Sequence, residues 1–210
     1  ASVNVCFTHH GHGGFLGAQA TEDRVLSIVK PFSKLGAELL IIDAGWWECG
    51  DSWLKRMGDY QASPKTFPHG LRPVADAVRN AKMDFGLWFP TESIDPALPF
   101  AQEHPDLVEC PASPFSSAWA SLRLRLEEPE ARRYFLDAVD RLVAEEGMSC
   151  FRQDCHQFFV DADPNRQGIT EIQHLTGLYA VWERIRRRYP EMVMEGCCGG
   201  GRRIDLETVS

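Results

Sequence analysis

The stretch CFRQDCH, residues 150–156, holds an arginine, a carboxylate, an imidazole and two thiols within seven positions. These residue types suit three kinds of site: a metal centre, a reactive thiol, or a single working carboxylate. Cys155 and His156 make a poor nucleophile–base couple, because neighbouring side chains on a strand point to opposite faces. Asp154, at the end of the predicted strand MSCFRQD, is the strongest candidate for a catalytic carboxylate. Its plainer alternative is a helix or turn cap.

Polar and aromatic residues also follow other apolar runs of the chain. A site rimmed by Trp, Asp, Glu and Arg suits a neutral, polyhydroxylated ligand. Aromatic faces pack against the C–H face of a sugar, and charged groups hydrogen-bond its hydroxyls. Hydrolysis of a glycosidic bond then needs two carboxyl groups, and Asp154 is well placed to be one. For any single tryptophan, packing in the core is the plainer explanation. The residues that gather in this way are Asp43, Trp46, Trp47, Trp88, Glu92 and Arg152.

Two histidines in the segment THHGHGG, His10 and His12, indicate a different chemistry. At the end of a first strand they would suit a divalent metal in a barrel hydrolase, with Asp154 and His156 as further ligands. A polar loop at the mouth of the barrel is the plainer alternative. The glycine-rich CCGGGRR, residues 197–203, resembles a phosphate cradle but lacks the G-x-x-x-x-G-K-[ST] pattern. We therefore expect neither a metal nor a cofactor, and keep the metal-dependent hydrolase as an alternative.

Composition narrows the classes of partner. The chain is 44% hydrophobic and 25% charged, which is ordinary for a soluble globular protein. The net charge of −8 argues against a nucleic-acid partner. No apolar run approaches the ~18–20 residues needed to cross a bilayer, so no membrane partner is expected. The seven cysteines are odd in number and contain no C-x-x-C pair, which favours a reducing compartment such as the cytoplasm.

The elements that must position these residues alternate between apolar strands and amphipathic helices. Repeated βα units imply a parallel sheet with right-handed crossovers. An open doubly wound sheet and a (β/α)8 barrel compete for this pattern. Long segments at the carboxyl ends of the second and third strands, 44–69 and 90–127, favour the barrel, whose active-site loops lie there. Strands are predicted at 3–8, 38–43, 83–89, 148–154 and 191–196, and helices at 21–36, 70–82, 129–146 and 168–189.

About five βα units fit into residues 1–210, taken as a single domain, so we expect an incomplete barrel. The exposed sheet edges of such a barrel favour association into a homo-oligomer. In the first helix, Thr21 is predicted as the N-cap and Gly36 as the C-cap, with a kink or interruption at Pro31.

Six segments from about residue 21 onwards, taken together and in order, resemble glycoside hydrolase family 36, the melibiase-type α-galactosidases. LLIIDAGWW resembles the D-D-G-W segment of that family, and FGLWFPTE is similar to F-G-L-W-F-E-P-E. FRQD stands where the family has [IV]-K-W-D, and CCGGGRRID fits C-x-x-G-G-x-R-x-D. The other two are MGDYQASPKTFPHGLRPVAD, similar to G-D-[WY]…F-P-x-G-L-x-P-[LI]-A-D, and QEHPDLV, similar to R-E-H-P-D-W-V.

The resemblance implies a retaining (β/α)8-barrel hydrolase that acts on terminal α-linked galactosyl or related residues of oligosaccharides or glycosides. The Asp of K-W-D falls on Asp154, which would attack the anomeric carbon and form a glycosyl-enzyme. Arg152 takes the place of the family's Lys, a ligand of sugar hydroxyls, and His156 falls where an Asn often sits. Further positions that the family uses at or next to the sugar are Asp43, Trp88, Cys197, Gly200 and Arg203.

The departures from the family bear on specificity. The second Asp of D-D-G-W is Ala44 here, and that pair normally grips galactose hydroxyls. Arg152 for Lys and Gln153 for Trp are expected to reshape the same subsite, because arginine and lysine are not interchangeable in a bidentate site. A related sugar therefore stays an alternative, as does a non-catalytic, sugar-binding barrel.

The general acid/base of the family is an Asp on the sixth strand. No matching Asp occurs up to Ser210, so we expect this residue beyond position 210 and expect residues 1–210 alone to be inactive.

Overall fold

The computed structural model describes residues 2–5 (backbone), 20–50, 52–109, 121–154, 163, 165–201 and 205. A π-helical turn, Leu142–Glu146, extends the fourth helix. The strands are β1 (Ser2–Val5), β2 (Leu39–Ile42), β3 (Asp84–Phe89), β4 (Ser93–Ile94), β5 (Val108–Glu109), β6 (Leu122–Leu124), β7 (Cys150–Gln153) and β8 (Val193–Gly196). The helices are α1 (Glu22–Lys34), α2 (Arg72–Asn80), α3 (Pro99–Glu103), α4 (Pro129–Arg141), α5 (Gln167–Arg188) and the single turn α6 (Cys198–Gly201).

The main sheet has five parallel strands in the order β1-β2-β3-β7-β8. The strands therefore lie side by side in the order in which they occur along the chain. A doubly wound sheet reverses its strand order at a switch point, whereas a barrel adds each new strand on the same side. Among the described residues β1 and β8 form the two edges, and the sheet is not closed.

The sequence predicted the helices of the βα units closely. Thr21 caps α1, accepting a hydrogen bond from the Arg24 amide at 3.4 Å. Leu35 is the C-cap residue, and Gly36 follows it with φ +82°, a left-handed conformation that glycine adopts without strain. A kink or an interruption was expected at Pro31; the interruption is wrong, since α1 runs through this residue to Lys34, and the kink stays a prediction. Pro31 lies near the end of α1, so ending the helix there would shorten it by only a few residues.

Side-chain alternation along the strands gives the sheet two faces with different cores. On the outer face, Leu40, Leu87 and Phe151 belong to the large buried core that also contains the apolar sides of the helices. On the inner face, Leu39, Ile41 and Cys150 form a separate, smaller cluster. This separation into an outer core and a small inner one is the layering of a barrel wall.

Gly86 of β3 is required by the inner packing. A Cβ atom there would lie 2.8 Å from Ile41 Cγ1 and 2.9 Å from Cys150 Cβ, both closer than side chains tolerate. The register explains the crowding, because Gly86 pairs with Ile41 on β2 and with Cys150 on β7. A larger residue at position 86 would push neighbouring strands apart.

A second sheet was not anticipated from the sequence. Within the long segment after β3, three short antiparallel strands pair in the order β4-β6-β5. Strands of two or three residues are too short for a period of two to be recognised. None of the helices in the described part of the chain is both long and apolar enough to cross a membrane.

Candidate active site

The strand register brings five of the polar and aromatic side chains together on the inner face. Trp88 on β3 pairs with Arg152 on β7, which pairs in turn with Glu195 on β8. Asp43 directly follows β2, and Asp154 directly follows β7, two residues beyond Arg152. All five therefore lie at the carboxyl ends of parallel strands, where barrels carry their active sites. We call Asp43, Trp88, Arg152, Asp154 and Glu195 the inner-face cluster.

The Asp154 carboxylate is held in a fixed orientation. Its residue is only 7% exposed, and both carboxylate oxygens accept hydrogen bonds. The Trp88 indole N–H donates to Oδ2 at 3.2 Å, and the Gly199 amide donates to Oδ1 at 2.7 Å. The Asp154 amide donates to the Phe89 carbonyl at 3.0 Å, which ties its backbone to the end of β3. Such fixed donors orient a carboxylate without an external ligand.

The glycine-rich segment after β8 supplies one of these donors. Cys198, Gly199, Gly200 and Gly201 all have positive φ angles, 44°, 61°, 88° and 91°, so the chain makes a left-handed turn. Successive amides in such a turn form a concave anion site. Here the anion is the Asp154 carboxylate of the same chain. The glycine-rich segment, whose sequence resembles a phosphate cradle, therefore binds a carboxylate of the protein itself through one of its amides.

Cys197 also faces this carboxylate. Burial raises the pKa of the Cys197 thiol, and the neighbouring Asp154 carboxylate, to which it is hydrogen-bonded, raises it further. The thiol therefore stays protonated and donates a hydrogen bond rather than acting as a nucleophile. Its backbone amide donates to the Gln153 carbonyl at 2.8 Å, which fixes the turn to β7.

Arg152 lies between two carboxylates. Its Nη1 atom forms an ion pair with Glu195 Oε1, and its Nε atom lies 4.0 Å from Asp43 Oδ2. The other oxygen of Asp43, Oδ1, accepts from the Ala44 amide at 2.8 Å. Glu195 was missed by the sequence analysis. The signal that could have found it is the alternation of side chains along the strand, which puts Val193 and Glu195 on one face of β8.

Tryptophans form the wall beside Asp154. Trp47 stacks on Trp88 with ring centroids 5.9 Å apart, and Trp53 meets Trp88 edge-on at 5.7 Å. Trp46 is fully buried, and its indole N–H donates to the Trp88 carbonyl at 2.8 Å. In this structure Trp46 therefore supports Trp88 from behind. Its predicted sugar contact stays a prediction, one that this geometry does not favour.

Glu92 does not join the inner-face cluster. It is completely buried, with Oε1 accepting from Gln153 Nε2 at 3.2 Å and Oε2 lying 2.8 Å from His174 Nε2. Gln153 points away from the inner face because it alternates with Arg152 and Asp154 along β7. We call the connected polar groups behind the sheet the outer polar network; Glu109 is exposed, and the other members are buried or partly buried. Its members are Glu92, Glu109, Arg123, Glu127, Gln153, His174 and Trp182.

His174 lies between charged side chains of the network. Its Nδ1 atom is 2.8 Å from Arg123 Nη1 and 3.4 Å from Glu127 Oε2. Its Nε2 atom is 2.8 Å from Glu92 Oε2. Burial opposes ionisation of Glu127, but its contacts with His174 and Arg123 outweigh this and hold the pKa of Glu127 well below its usual range.

Several predicted site residues lie outside the described residues: His10, His12, His156 and Arg203. The metal-site alternative therefore stays a prediction for those positions. Within the ranges that the structure describes, no group of three or more His, Cys, Asp or Glu side chains is arranged to hold a metal ion.

Comparison with known protein families shows which family the chain belongs to. The melibiase family model matches residues 16–210, nearly the whole chain. The chain belongs to the melibiase family, glycoside hydrolase family 36.

Curated relatives in this family carry one activity in their names. The chain is 30% identical over 190 residues to alpha-galactosidase 1 of Pediococcus pentosaceus, covering 88% of this chain and 26% of the relative. It is 27% identical over 190 residues to alpha-galactosidase AgaA of Geobacillus stearothermophilus, with the same coverage. The chain thus spans about a quarter of the length of the relatives it matches.

Solved structures of the family share the fold. The GH36 alpha-galactosidase AgaB of Geobacillus stearothermophilus superimposes with a TM-score of 0.76 at 27% identity, over 90% of this chain and 27% of that one. A variant of AgaA in complex with raffinose gives a TM-score of 0.73 with the same identity and coverage. The prediction of a (β/α)8 barrel represented by about five βα units is confirmed.

Within this melibiase framework the structure separates the three departures. Arg152 lies in the inner-face cluster, and Ala44 contributes a backbone amide to Asp43. Gln153 contacts Glu92 and the Trp182 indole on the outer face. Gln153 in place of the family's Trp therefore changes the packing on the outer face of the sheet. It does not change the sugar subsite, where the sequence placed its effect.

Proposed function

We propose that the whole protein is a retaining α-galactosidase and that Asp154 is its nucleophile. The observation that carries the proposal is the Asp154 carboxylate itself, fixed by Trp88 and Gly199 at the carboxyl end of β7 in a melibiase chain. The residues described form part of one catalytic-barrel domain. The proposed substrates are terminal α-galactosides, as the names of the relatives suggest.

In the proposed mechanism an Asp154 oxygen attacks the anomeric carbon of the galactosyl unit. A C–O bond to the enzyme forms while the bond to the leaving group breaks, and a general acid protonates the departing oxygen. Water then cleaves the glycosyl-enzyme and restores the carboxylate. We propose that the general acid/base comes from a barrel strand following β8.

The inner-face cluster has the chemistry for the sugar. Asp43 offers a carboxylate acceptor and Arg152 a guanidinium donor; the two are 4.0 Å apart, and Arg152 lies on β7 two residues before the nucleophile. Trp53, which is partly exposed and meets Trp88 edge-on, offers aromatic surface for the C–H face of the ring. We therefore propose Asp43, Trp88, Arg152, Cys197 and the turn containing Gly200 as substrate contacts, together with His156 and Arg203.

The test is hydrolysis of an aryl α-galactoside by the full-length protein and its Asp154→Ala variant. Removing the nucleophile is expected to lower kcat by about 10⁴-fold or more. External azide should restore turnover by occupying the vacated space and forming a β-galactosyl azide, whose inverted configuration identifies the face that Asp154 attacks.

Asp137→Ala is the matched control, because Asp137 is an exposed carboxylate on α4. Turnover of this control should stay within about twofold of wild type. Equal activity of Asp154→Ala and wild type would overturn the assignment of the nucleophile. Absence of turnover by the wild-type full-length protein would overturn the activity.

A further inference from the structure

Glu195 has no role in the site that the sequence suggested, yet it is the ion-pair partner of Arg152. The two residues are direct neighbours across the β7–β8 ladder, so their side chains leave the sheet on the same face. Arg152 Nη1 binds Glu195 Oε1. This contact holds one edge of the planar guanidinium on the β8 side of the cluster.

The opposite edge of the guanidinium faces Asp43. Nε is buried and has no hydrogen-bond partner among the described residues, and Asp43 Oδ2 is 4.0 Å away. A guanidinium is a rigid fork of donors, so fixing one edge also fixes the direction of the other. The Glu195 contact therefore determines which way Arg152 presents its remaining donors.

Stability alone does not account for this pair. The Arg152 side chain is 14% exposed and that of Glu195 is 34% exposed. Because the Glu195 side of the pair is open to solvent, the pair adds only modestly to folding stability. Glu195 also adds a third carboxylate to a cluster that already contains Asp43 and Asp154. The repulsion between these like charges is unfavourable, so a role in holding Arg152 accounts for Glu195 better than stability does.

We propose that Glu195 is a positioning residue for sugar binding, which acts by fixing the Arg152 guanidinium toward the Asp43 side of the cluster. This inference rests on the proposed function. Arg152 touches the sugar hydroxyls, and Glu195 acts through Arg152 without touching the substrate. Because Glu195 also neutralises Arg152, the cluster is suited to neutral hydroxyls and not to anionic sugars.

The kinetic test uses Glu195→Gln in the full-length protein, a substitution that keeps the side-chain shape and removes its charge. KM for an aryl α-galactoside is expected to rise about tenfold while kcat changes less than threefold, because binding contacts are weakened. In an Arg152→Ala background the same substitution should change KM less than twofold, since its target is absent. Additive effects of the two substitutions would overturn the proposal.

Glu183→Gln is the matched control. Glu183 forms an exposed ion pair with Arg187 on α5, and its loss should leave KM and kcat within about twofold of wild type. A similar KM effect in this control would show a general charge effect and overturn the role of Glu195.

Crystal structures of full-length wild type and Glu195→Gln provide a second measurement that needs no activity. The Arg152 guanidinium should leave its position beside Asp43 and adopt another rotamer in the variant. An unmoved guanidinium would overturn the inference. If wild type fails to hydrolyse α-galactosides, the proposed function falls, and these two structures still decide whether Glu195 positions Arg152.

Discussion

The inner-face cluster and the outer polar network are built from the same kinds of residue and differ in how completely their polar atoms are engaged. In the network, Glu92 is fully buried, and each of its oxygens contacts a protein group. In the cluster, Arg152 keeps a buried Nε without a hydrogen bond among the described residues, and its ion-pair partner Glu195 is 34% exposed. A polar group that the protein satisfies on all sides stabilises the fold, whereas one with spare capacity can bind a ligand.

The comparison also shows how a single strand serves both regions. Arg152 and Asp154 belong to the inner face, and Gln153 between them belongs to the network. Alternation along β7 is the cause. Adjacent polar residues in one motif therefore have separable roles, and each role predicts a different measurable defect.

The largest expected stability effect comes from Arg123→Met in the outer polar network. The Arg123 side chain is 3% exposed and binds both Glu127 and His174, so its loss removes a buried cationic partner from both. We expect a cost of about 3–5 kcal/mol. The midpoint of thermal unfolding should fall by roughly 10 °C, while kcat and KM of the folded protein stay within about threefold.

Arg133→Met provides the control for this substitution. Arg133 pairs with Glu130 on the exposed side of α4, and such a pair is worth about 0–1 kcal/mol. If kcat or KM of folded Arg123→Met changes by more than about threefold, the comparison fails, because the outer polar network would then take part in the chemistry.

Asp43→Asn in the inner-face cluster is expected to lower activity and to leave stability nearly unchanged, and its free-energy effect is smaller than that of Arg123→Met. The amide keeps the shape but loses the charged acceptor for a sugar hydroxyl, a loss of about 1.5–3 kcal/mol. This corresponds to a fall in kcat/KM of about 10- to 150-fold. Unfolding should change by less than about 1 kcal/mol, because Asp43 also lies near like-charged groups. Thermal scans and galactoside kinetics on the same preparation separate the two quantities, and a destabilised but fully active variant would contradict the assignment.

The smallest expected effect is a change in how the midpoint of thermal unfolding depends on pH. The pKa of Glu127 lies well below its usual range, because contacts with His174 and Arg123 outweigh the opposing effect of burial. A depressed pKa in the folded state contributes stability above the unfolded value of about 4.3. That contribution is lost as the pH falls toward the folded value.

Glu127→Gln removes this titration. The thermal midpoints of wild type and variant should therefore converge as the pH is lowered from about 6 to 3. Parallel curves over this range would show that Glu127 does not contribute through its charge. The network would then be stabilised by its neutral hydrogen bonds.

Much of the fold was predictable because its signals are local. Apolar runs, the capping Thr21 and Gly36 at the end of α1 predicted the strands of the main sheet and the helices of the βα units to within a few residues. The small antiparallel sheet was not predictable, since its strands have only two or three residues. The continuation of α1 through Pro31 depended on the position of that proline near the end of the helix.

The sequence by itself determined that Asp154 ends a strand, two positions after a basic residue, and that polar and aromatic residues follow several strands. Only the tertiary structure decided which of these residues share a face. It joined Glu195 to Arg152, directed the Gly199 amide at Asp154, and enclosed Glu92 with His174. The physical reason is register: strand and helix formation depend on neighbours in the chain, whereas these pairings depend on how strands distant in sequence align.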